Sequence, residues 1–236
     1  YQYRGLGVKS RYRKLWDRAE LNATIYTANV ETYKKNRELV GAVDATYASR
    51  IGNGWDIRAN LRRASQDTFM RRYDFNDDTS LKSTISATRT IDNRYYRVEA
   101  SDRQSLLASD KTLNEPTVLP SIFYEKTEKG WRGNQKLRTE LSAVQLDNDQ
   151  GHDMARWSGI FEVAEDFGLP LGIANYEANV TGNYYSIHTK PDSAVTKLGD
   201  FSFVNPALSV GWRLPIAAVG ANRTAIFEPQ ARLAFI

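Results

Sequence analysis

The sequence predicts an all-β protein, a meander of roughly a dozen antiparallel strands. Three observations predict it. First, Ala174, Tyr176, Ala178, Val180, Gly182 and Tyr184 are apolar or aromatic, and Asn175, Glu177, Asn179, Thr181 and Asn183 between them are polar. A β-strand sends successive side chains to opposite faces, so this stretch is a ribbon with one oily side and one wet side. Second, the same dyad recurs from one end of the chain to the other, and almost nothing reads at helical spacing. No run approaches the ~20 apolar residues of a membrane helix; the nearest, 214–221, is short and interrupted by Pro215 and Gly220. Third, aromatics make up 11% of the 236 residues, with 13 Tyr and 5 Trp, although hydrophobic residues total only 41% and charged residues 25%. Few aliphatics and many amphipathic rings suit a sheet that is polar on one side and edged by Tyr and Trp.

The elements follow in order. Residues 3–14 and 18–28 form a first pair around Leu15-Trp16-Asp17. Residues 38–50 and 55–64 form a second, joined by Ile51-Gly-Asn-Gly54, a strong turn signal. A short run, 68–73, leads into the acidic loop 74–78. Strands at 81–91 and 95–107 share the tight turn Asp92-Asn-Arg94. Strands at 118–127 and 133–146 are linked through 128–132, and 147–153 is a polar loop. Residues 155–164 pair with 173–187 through 165–170, and 188–200 reads as a long loop. Residues 205–214 and 224–235 close the chain. Proline cannot donate to a ladder and belongs at strand starts, edges or bulges. Pro120 and Pro206 therefore read as strand starts, and Pro229, inside an alternating run, predicts a local break or bulge.

Strands of about ten residues with alternately short and long loops fit an outer-membrane barrel, whose strands need ~9–11 residues to cross. A soluble sandwich also alternates, with turn signals every ~8–12 residues. Pattern alone leaves both open. Magnitude sets the facing within the first alternative. An Arg on the lipid side near mid-membrane costs about 2–4 kcal/mol. Arg58, Arg62, Arg97, Arg138 and Arg156 must then all face inward, and a one-residue register slip is forbidden.

Composition narrows the chemistry. With no cysteine, disulfides and thiolate metal sites are excluded. The net charge of +4 comes from 32 basic residues interspersed with 28 acidic ones, without the basic block that nucleic acid favours. A modest cationic excess favours anionic ligands such as phosphorylated glycolipids. His152 and His188 both fall in loops, far apart, and have no further ligands at metal spacing. Asp147, Asp149 and Asp153 loosely resemble a calcium loop, but the Gly and the closing Glu are out of register. Glu125, Glu140, Glu162 and Glu177 supply carboxylates for glycoside hydrolysis, yet each sits at a polar-face position among basic residues, so lining is the simpler account. No nucleophile elbow, P-loop or dinucleotide fingerprint is present. The chain therefore reads as a non-enzyme, with no catalytic, cofactor or metal site.

Four segments resemble a known family. Gly54 to Tyr73 ends in Ser65, Asp67, Phe69 and Tyr73, with one residue between Ser and Asp where the family has them adjacent. Leu119-Pro120-Ser-Ile-Phe-Tyr124 matches a Leu-Pro-x-Ile-x-Tyr strand start. Gln150-Gly151-His-Asp153-Met-Ala-Arg156 matches a Gly-x-Asp-x-x-Arg loop. Ile226-Phe-Glu228-Pro229-Gln-Ala-Arg-Leu233 matches Leu-Glu-Pro-x-Ala-x-Leu, with Phe227 where Leu is usual. In this order the segments resemble the lipopolysaccharide-assembly outer-membrane family (LptD, also called organic solvent tolerance protein). The resemblance implies an antiparallel transmembrane β-barrel segment, a partial barrel. All of 1–236 would lie in the N-terminal part of one outer-membrane barrel domain, with the periplasmic jelly-roll domain and the C-terminal strands outside this span. It implies lipopolysaccharide as passenger, placed in the outer leaflet of a Gram-negative outer membrane. It further implies membrane lipid around the barrel, an LptE-like lipoprotein plug within it, and an LptA-like periplasmic bridge protein reached through the N-terminal domain. On this reading the five arginines meet lipopolysaccharide phosphates, unless they only pair across strands with Asp56, Glu99, Glu140 and Glu162. The other readings are a porin- or adhesin-type barrel and a soluble sandwich that binds glycans.

Overall fold

The computed structural model describes residues 6–31, 37–106, 116–132, 134–148, 152–189, 199–219 and 224–235. Fourteen strands appear in order: β1 (Gly7–Trp16), β2 (Ala19–Glu31), β3 (Arg37–Ile51), β4 (Trp55–Ala64), β5 (Ser80–Ile91), β6 (Arg94–Ser105), β7 (Thr117–Lys129), β8 (Gln135–Asp147), β9 (His152–Leu169), β10 (Gly172–Thr189), β11 (Phe201–Arg213), β12 (Ile216–Val219), β13 (Thr224–Phe227) and β14 (Gln230–Phe235). Twelve of them form one open antiparallel sheet, β1 through β11 and then β14, and β12–β13 is a separate hairpin. This is the all-β meander of about a dozen strands that alternation predicts, and its form fits a barrel segment.

Turn chemistry sets the hairpins. Two-residue turns at Asp17-Arg18, Asp92-Asn93 and Pro170-Leu171 join β1–β2, β5–β6 and β9–β10. Asp92 (φ 50°) takes the left-handed conformation such turns favour, and Gly172 (φ 102°), the first residue of β10, has a positive φ directly after the Pro170-Leu171 turn. The β3–β4 turn passes through Asn53 (φ 61°) and Gly54 (φ 77°), the Gly-Asn-Gly signal read from sequence.

Cross-strand register carries the alternation across the whole sheet. One row runs Ile57, Ala87, Val98, Ile122, Ala143, Trp157, Tyr184; the adjacent row on the other face runs Asp56, Thr88, Arg97, Phe123, Ser142, Ser158, Asn183. The sheet thus has one apolar and one polar face from β1 to β14.

Several expected elements differ. The run 68–73 is not extended: Phe69–Arg72 form one helical turn, α1, because Phe69 and Met70 on one side bury into a core. The expected loop 165–170 is mostly strand. Glu165 accepts a bond from the Tyr176 hydroxyl (3.1 Å) and Asp166 lies 3.7 Å from Arg213, so these adjacent charges are held on opposite faces and β9 continues to Leu169. His152, Asp153 and His188 lie on strands, not in loops, with Asp153 opposite His188 and His152 opposite Thr189. The rest of the expected 188–200 loop, 190–198, lies outside the described residues, as does Gly151. Pro120 is not at a strand start but inside β7, where that strand carries one residue more than either neighbour, a bulge that spares it a ladder bond. Pro206 is likewise inside β11, opposite Val180, where β14 does not reach. At Pro229 the expected break occurs: β13 ends at Phe227 and β14 starts at Gln230.

The buried core is small and lies on the polar side. Tyr26, Ala28, Val30, Val40, Ala42 and Ala64 form an apolar patch at one end of β2–β4. Residues 65–79 fold back over it, pressing Phe69 and Met70 of α1 with Tyr73 and Phe75 against the patch, together with Leu81 and Leu106. Phe69, Val30 and Val40 are the largest fully buried side chains.

Candidate functional site

The polar face is the candidate site, because the register gathers most of the strands' ionic groups there, while the apolar face carries charge toward the strand ends, as at Lys14, Arg63, Arg89, Lys126 and Glu165. The five sequence-predicted arginines all lie on it. Their surroundings divide them. Arg62 is held by Asp44 at 3.3 Å and by Asp78. Arg138 sits among Glu125 (3.3 Å), Glu140 (2.7 Å) and Glu162 (3.8 Å), three carboxylates about one guanidinium. Arg58, Arg97 and Arg156 have no ion-pair partner among the described residues. Arg97 lies over the Phe123 ring at 5.8 Å, and the Arg156 Nε is buried without an acceptor. Asp56, the expected partner of Arg58, instead takes Arg50 at 2.9 Å.

Charge is uneven across the face. On β1–β6 the polar face carries Lys9, Arg11, Arg13, Arg50, Arg58, Arg62, Lys82, Arg97 and Arg103 against Glu20, Glu38, Asp44, Asp56 and Glu99, nine cations to five carboxylates. On β7–β14 it carries Lys129, Lys136, Arg138, Arg156, Arg213 and Arg232 against Glu125, Glu140, Glu162, Asp166 and Glu177, six to five. The folded-back segment 65–79 adds Arg71 and Arg72 against Asp67, Asp74, Asp77 and Asp78, which brings the first half to eleven cations and nine carboxylates.

The family-motif residues have structural tasks. Ser65 closes β4 onto β3: its hydroxyl accepts from the Gly41 amide at 2.9 Å, and its amide donates to the Gly41 carbonyl at 2.8 Å. Asp67 stands in the link to α1, and Tyr73 stacks with Phe75 (5.8 Å) against Gly7 of β1. Asp153 accepts from the Asn148 amide at 3.0 Å. Glu228 reaches Arg213 at 3.6 Å, and the Pro229 carbonyl accepts from Leu214 at 3.0 Å, tying the base of the β12–β13 hairpin. Asp78, in the link before β5, is held below the usual carboxylate range, first by its hydrogen bond from Arg62.

Sequence reading missed a polar clasp beside this segment. β4 and β5 pair only from Trp55/Arg89 to Asn60/Thr84. Beyond that point side chains replace the ladder. The Ser83 hydroxyl bonds both the amide and the carbonyl of Arg62 (3.0 Å each), and the Gln104 amide group bonds both the amide (2.9 Å) and the carbonyl (2.7 Å) of Ala64. Arg63 of β4 pairs with Asp102 of β6 across the same gap. The signal was present: Asp102 and Gln104 continue the apolar phase of Tyr96, Val98 and Ala100, where polar groups need a reason.

Among the described residues no cluster of metal-binding side chains occurs, and no helix is long and apolar enough to cross a membrane. Compared with known proteins, the chain from 39 to 236 matches a family described as LptD: LPS transport system D. No curated protein matches it.

Proposed function

We propose that this chain, which belongs to the LptD family, forms part of the wall of an outer-membrane β-barrel that carries lipopolysaccharide to the outer leaflet. Family membership ties the chain to lipopolysaccharide transport and assembly rather than to catalysis. The observation that supports the finer reading is the segregation across the sheet: five arginines on one face, apolar rows across the middle of the other. In this reading the apolar face meets lipid and the polar face lines a hydrated lumen. Arg58, Arg97 and Arg156, which make no ion pair within 4.0 Å among the described residues, are the groups that meet phosphates of the sugar head. Arg62 and Arg138 stand neutralised by their own acids and serve the wall. Charge-assisted bonds from guanidinium to phosphate suit this task because they are strong and planar. The 12-strand sheet is part of one larger barrel domain, in which an LptE-like lipoprotein and an LptA-like bridge protein are the expected partners.

The test is depletion of the full-length protein and complementation with Arg58→Gln/Arg97→Gln/Arg156→Gln, reading lipopolysaccharide at the cell surface. Reduced surface lipopolysaccharide with normal barrel levels is expected. Unchanged surface lipopolysaccharide on depletion itself would exclude the assembly role and leave a porin-type barrel.

A further inference from the structure

At the short-turn end of the apolar face, β5–β7 gather three cations that the lumen does not use. Arg94 of β6 stands directly opposite Lys126 of β7. Arg89 of β5, opposite Tyr96, is the diagonal neighbour of Arg94, about 7–8 Å away. All three share the face of Val98 and Ile122. One carboxylate on this face answers them: Glu128 takes Lys126 at 2.5 Å. Arg89 and Arg94 make no ion pair among the described residues, and neither pairs with Asp92, exposed in the adjoining turn. Like charges opposite each other repel unless an anion sits between them.

The surroundings hold the cluster in place. The β5–β6 turn is pinned onto β7: the Asn93 side-chain amide donates to the Thr127 carbonyl, and the Thr127 amide donates to the Asn93 carbonyl at 3.0 Å. The Arg89 guanidinium lies over the Trp55 ring at 5.8 Å, and its Nε is buried without an acceptor. Trp55 meets Tyr96 at 6.4 Å, and Tyr96 meets Tyr124 at 5.1 Å, so a belt of rings runs beside the cations. A guanidinium stacked on a ring is oriented, and its remaining N–H fork suits a phosphate.

A second ring pair on the same face supplies the contrast. Phe167 stands three residues before the β9–β10 turn, as Arg89 stands three before Asp92. Phe167 meets Tyr176 at 6.3 Å, but the charged group beside them is Glu165, which accepts from the Tyr176 hydroxyl. Rings at this level are what any bilayer edge selects; a knot of unanswered arginines among them is particular to β5–β7. Outer-membrane barrels keep their short turns on the periplasmic side. With lipopolysaccharide placed in the outer leaflet, the leaflet at this end is phospholipid.

We infer that Arg89, Arg94 and Lys126, beside the Trp55–Tyr96–Tyr124 belt, form a binding site for the phosphate of an anionic phospholipid in the periplasmic leaflet. The inference rests on the bilayer reading of the apolar face and adds to it a preferred lipid at one place. Arg89 and Arg94 donate to the phosphate oxygens, and the excess of cations selects a head group with net negative charge over a zwitterionic one.

The test uses the full-length protein in vesicles of phosphatidylethanolamine and phosphatidylglycerol, in which one lipid or the other carries a photoreactive diazirine close to the glycerol. Labelled residues are then mapped by mass spectrometry. At Trp55, Tyr96 and Tyr124, labelling by phosphatidylglycerol is expected to exceed labelling by phosphatidylethanolamine several-fold. At Phe167 and Tyr176 no such excess is expected. Arg89→Gln/Arg94→Gln is expected to abolish the excess, and Arg89→Lys/Arg94→Lys, which keeps the charge, to retain part of it. In wild type alone, added salt is expected to shrink it. Equal labelling by the two lipids in wild type overturns the site and leaves the bilayer reading intact. An excess that survives Arg89→Gln/Arg94→Gln, or that appears equally at Phe167, also overturns it. Displacement of phosphatidylglycerol from these positions by added lipopolysaccharide would make lipopolysaccharide the occupant and overturn the phospholipid assignment. Label on the polar face in place of the apolar one overturns the bilayer reading itself.

Discussion

The two halves of the sheet use the same alternation to different ends. On β2–β4 the polar face gives way at one end to Tyr26, Ala28, Val40 and Ala42, and residues 65–79 fold over them to make a buried core. On β7–β11 the polar face has no such cover. Its cations are largely matched by acids, as in the cage of Glu125, Glu140 and Glu162 around Arg138. Ala174 is the only buried hydrophobic residue outside the first-half cluster among the described residues. The difference teaches where stability lies. Side-chain burial fixes the first half. Backbone pairing holds the second, where β9 and β10 keep eighteen residue pairs in register.

The sharpest way to break this comparison is to remove one ring from each half. Phe69→Ala empties a fully buried site and is expected to cost about 3–5 kcal/mol. Phe203→Ala on the polar face of β11 loses a half-exposed ring stacked 6.0 Å from Tyr185, expected to cost about 0.5–1.5 kcal/mol. Urea unfolding of the full-length protein in vesicles reads both; equal losses would refute the division.

A second prediction concerns the faces rather than the halves. Ala59→Arg places a cation on the apolar face and is expected to cost about 2–4 kcal/mol if that position lies near mid-bilayer. Asn60→Arg, one residue along on the polar face, is expected to leave folding near wild type. The same pair of sites, spin-labelled, gives the direct readout: lipid contact at Ala59 and water contact at Asn60.

The clasp between β4 and β5 gives a third. Gln104→Ala strips partners from both the amide and the carbonyl of Ala64. Each buried group left unpaired costs about 1–3 kcal/mol. Hydrogen exchange at Ala64 is expected to quicken, along with exchange across α1, because Leu81 beside the gap packs in the same core. Exchange on β9 and β10 is expected to stay unchanged. Exchange that quickens equally in both halves would show that the core and the clasp are not a local unit.

How much of this was legible follows from the range of each interaction. Alternation is a property of neighbours in sequence, so Trp55 through Leu61 or Tyr96 through Ala100 announced both faces without a structure. The facing of the five arginines followed from the same phase. Which arginines are neutralised did not follow: Arg62 meets Asp78 from a link that folds back, and Arg58 loses Asp56 to Arg50, choices made in three dimensions. The folded-back segment was illegible for a plainer reason. Phe69-Met70-Arg71-Arg72 is one helical turn, too short to show a period. Its burial depends on Tyr26 and Val40, which are some thirty to forty residues away in sequence. The glycine pair on the apolar face of β9 and β10 shows the converse case. From sequence Gly182 reads as an apolar position, and only the register with Gly159 makes it a hole.

The smallest expected effect separates the halves by pH. Asp78 anchors the folded-back segment through Arg62, and that bond lowers its pKa below the ordinary value of about 3.9. A carboxyl whose pKa is lower in the folded state contributes stability above its unfolded pKa and loses it as pH falls through the lower folded value. The anchor is therefore complete above about pH 4 and is lost progressively below it. The pair is partly exposed, so its worth is at most about 1 kcal/mol after solvent screening. Amide exchange at Phe69–Arg72, followed from pH 6 downward and corrected for intrinsic rates, is expected to stay level and then rise on the acid side. Asp78→Asn is expected to start from the raised level and to flatten the rise. Arg62 has Asp44 at 3.3 Å as its other carboxylate partner. A rise of the same size in Asp78→Asn would move the acid sensitivity off this link and onto the polar face at large, and with it the claim that the first half carries its own fastening.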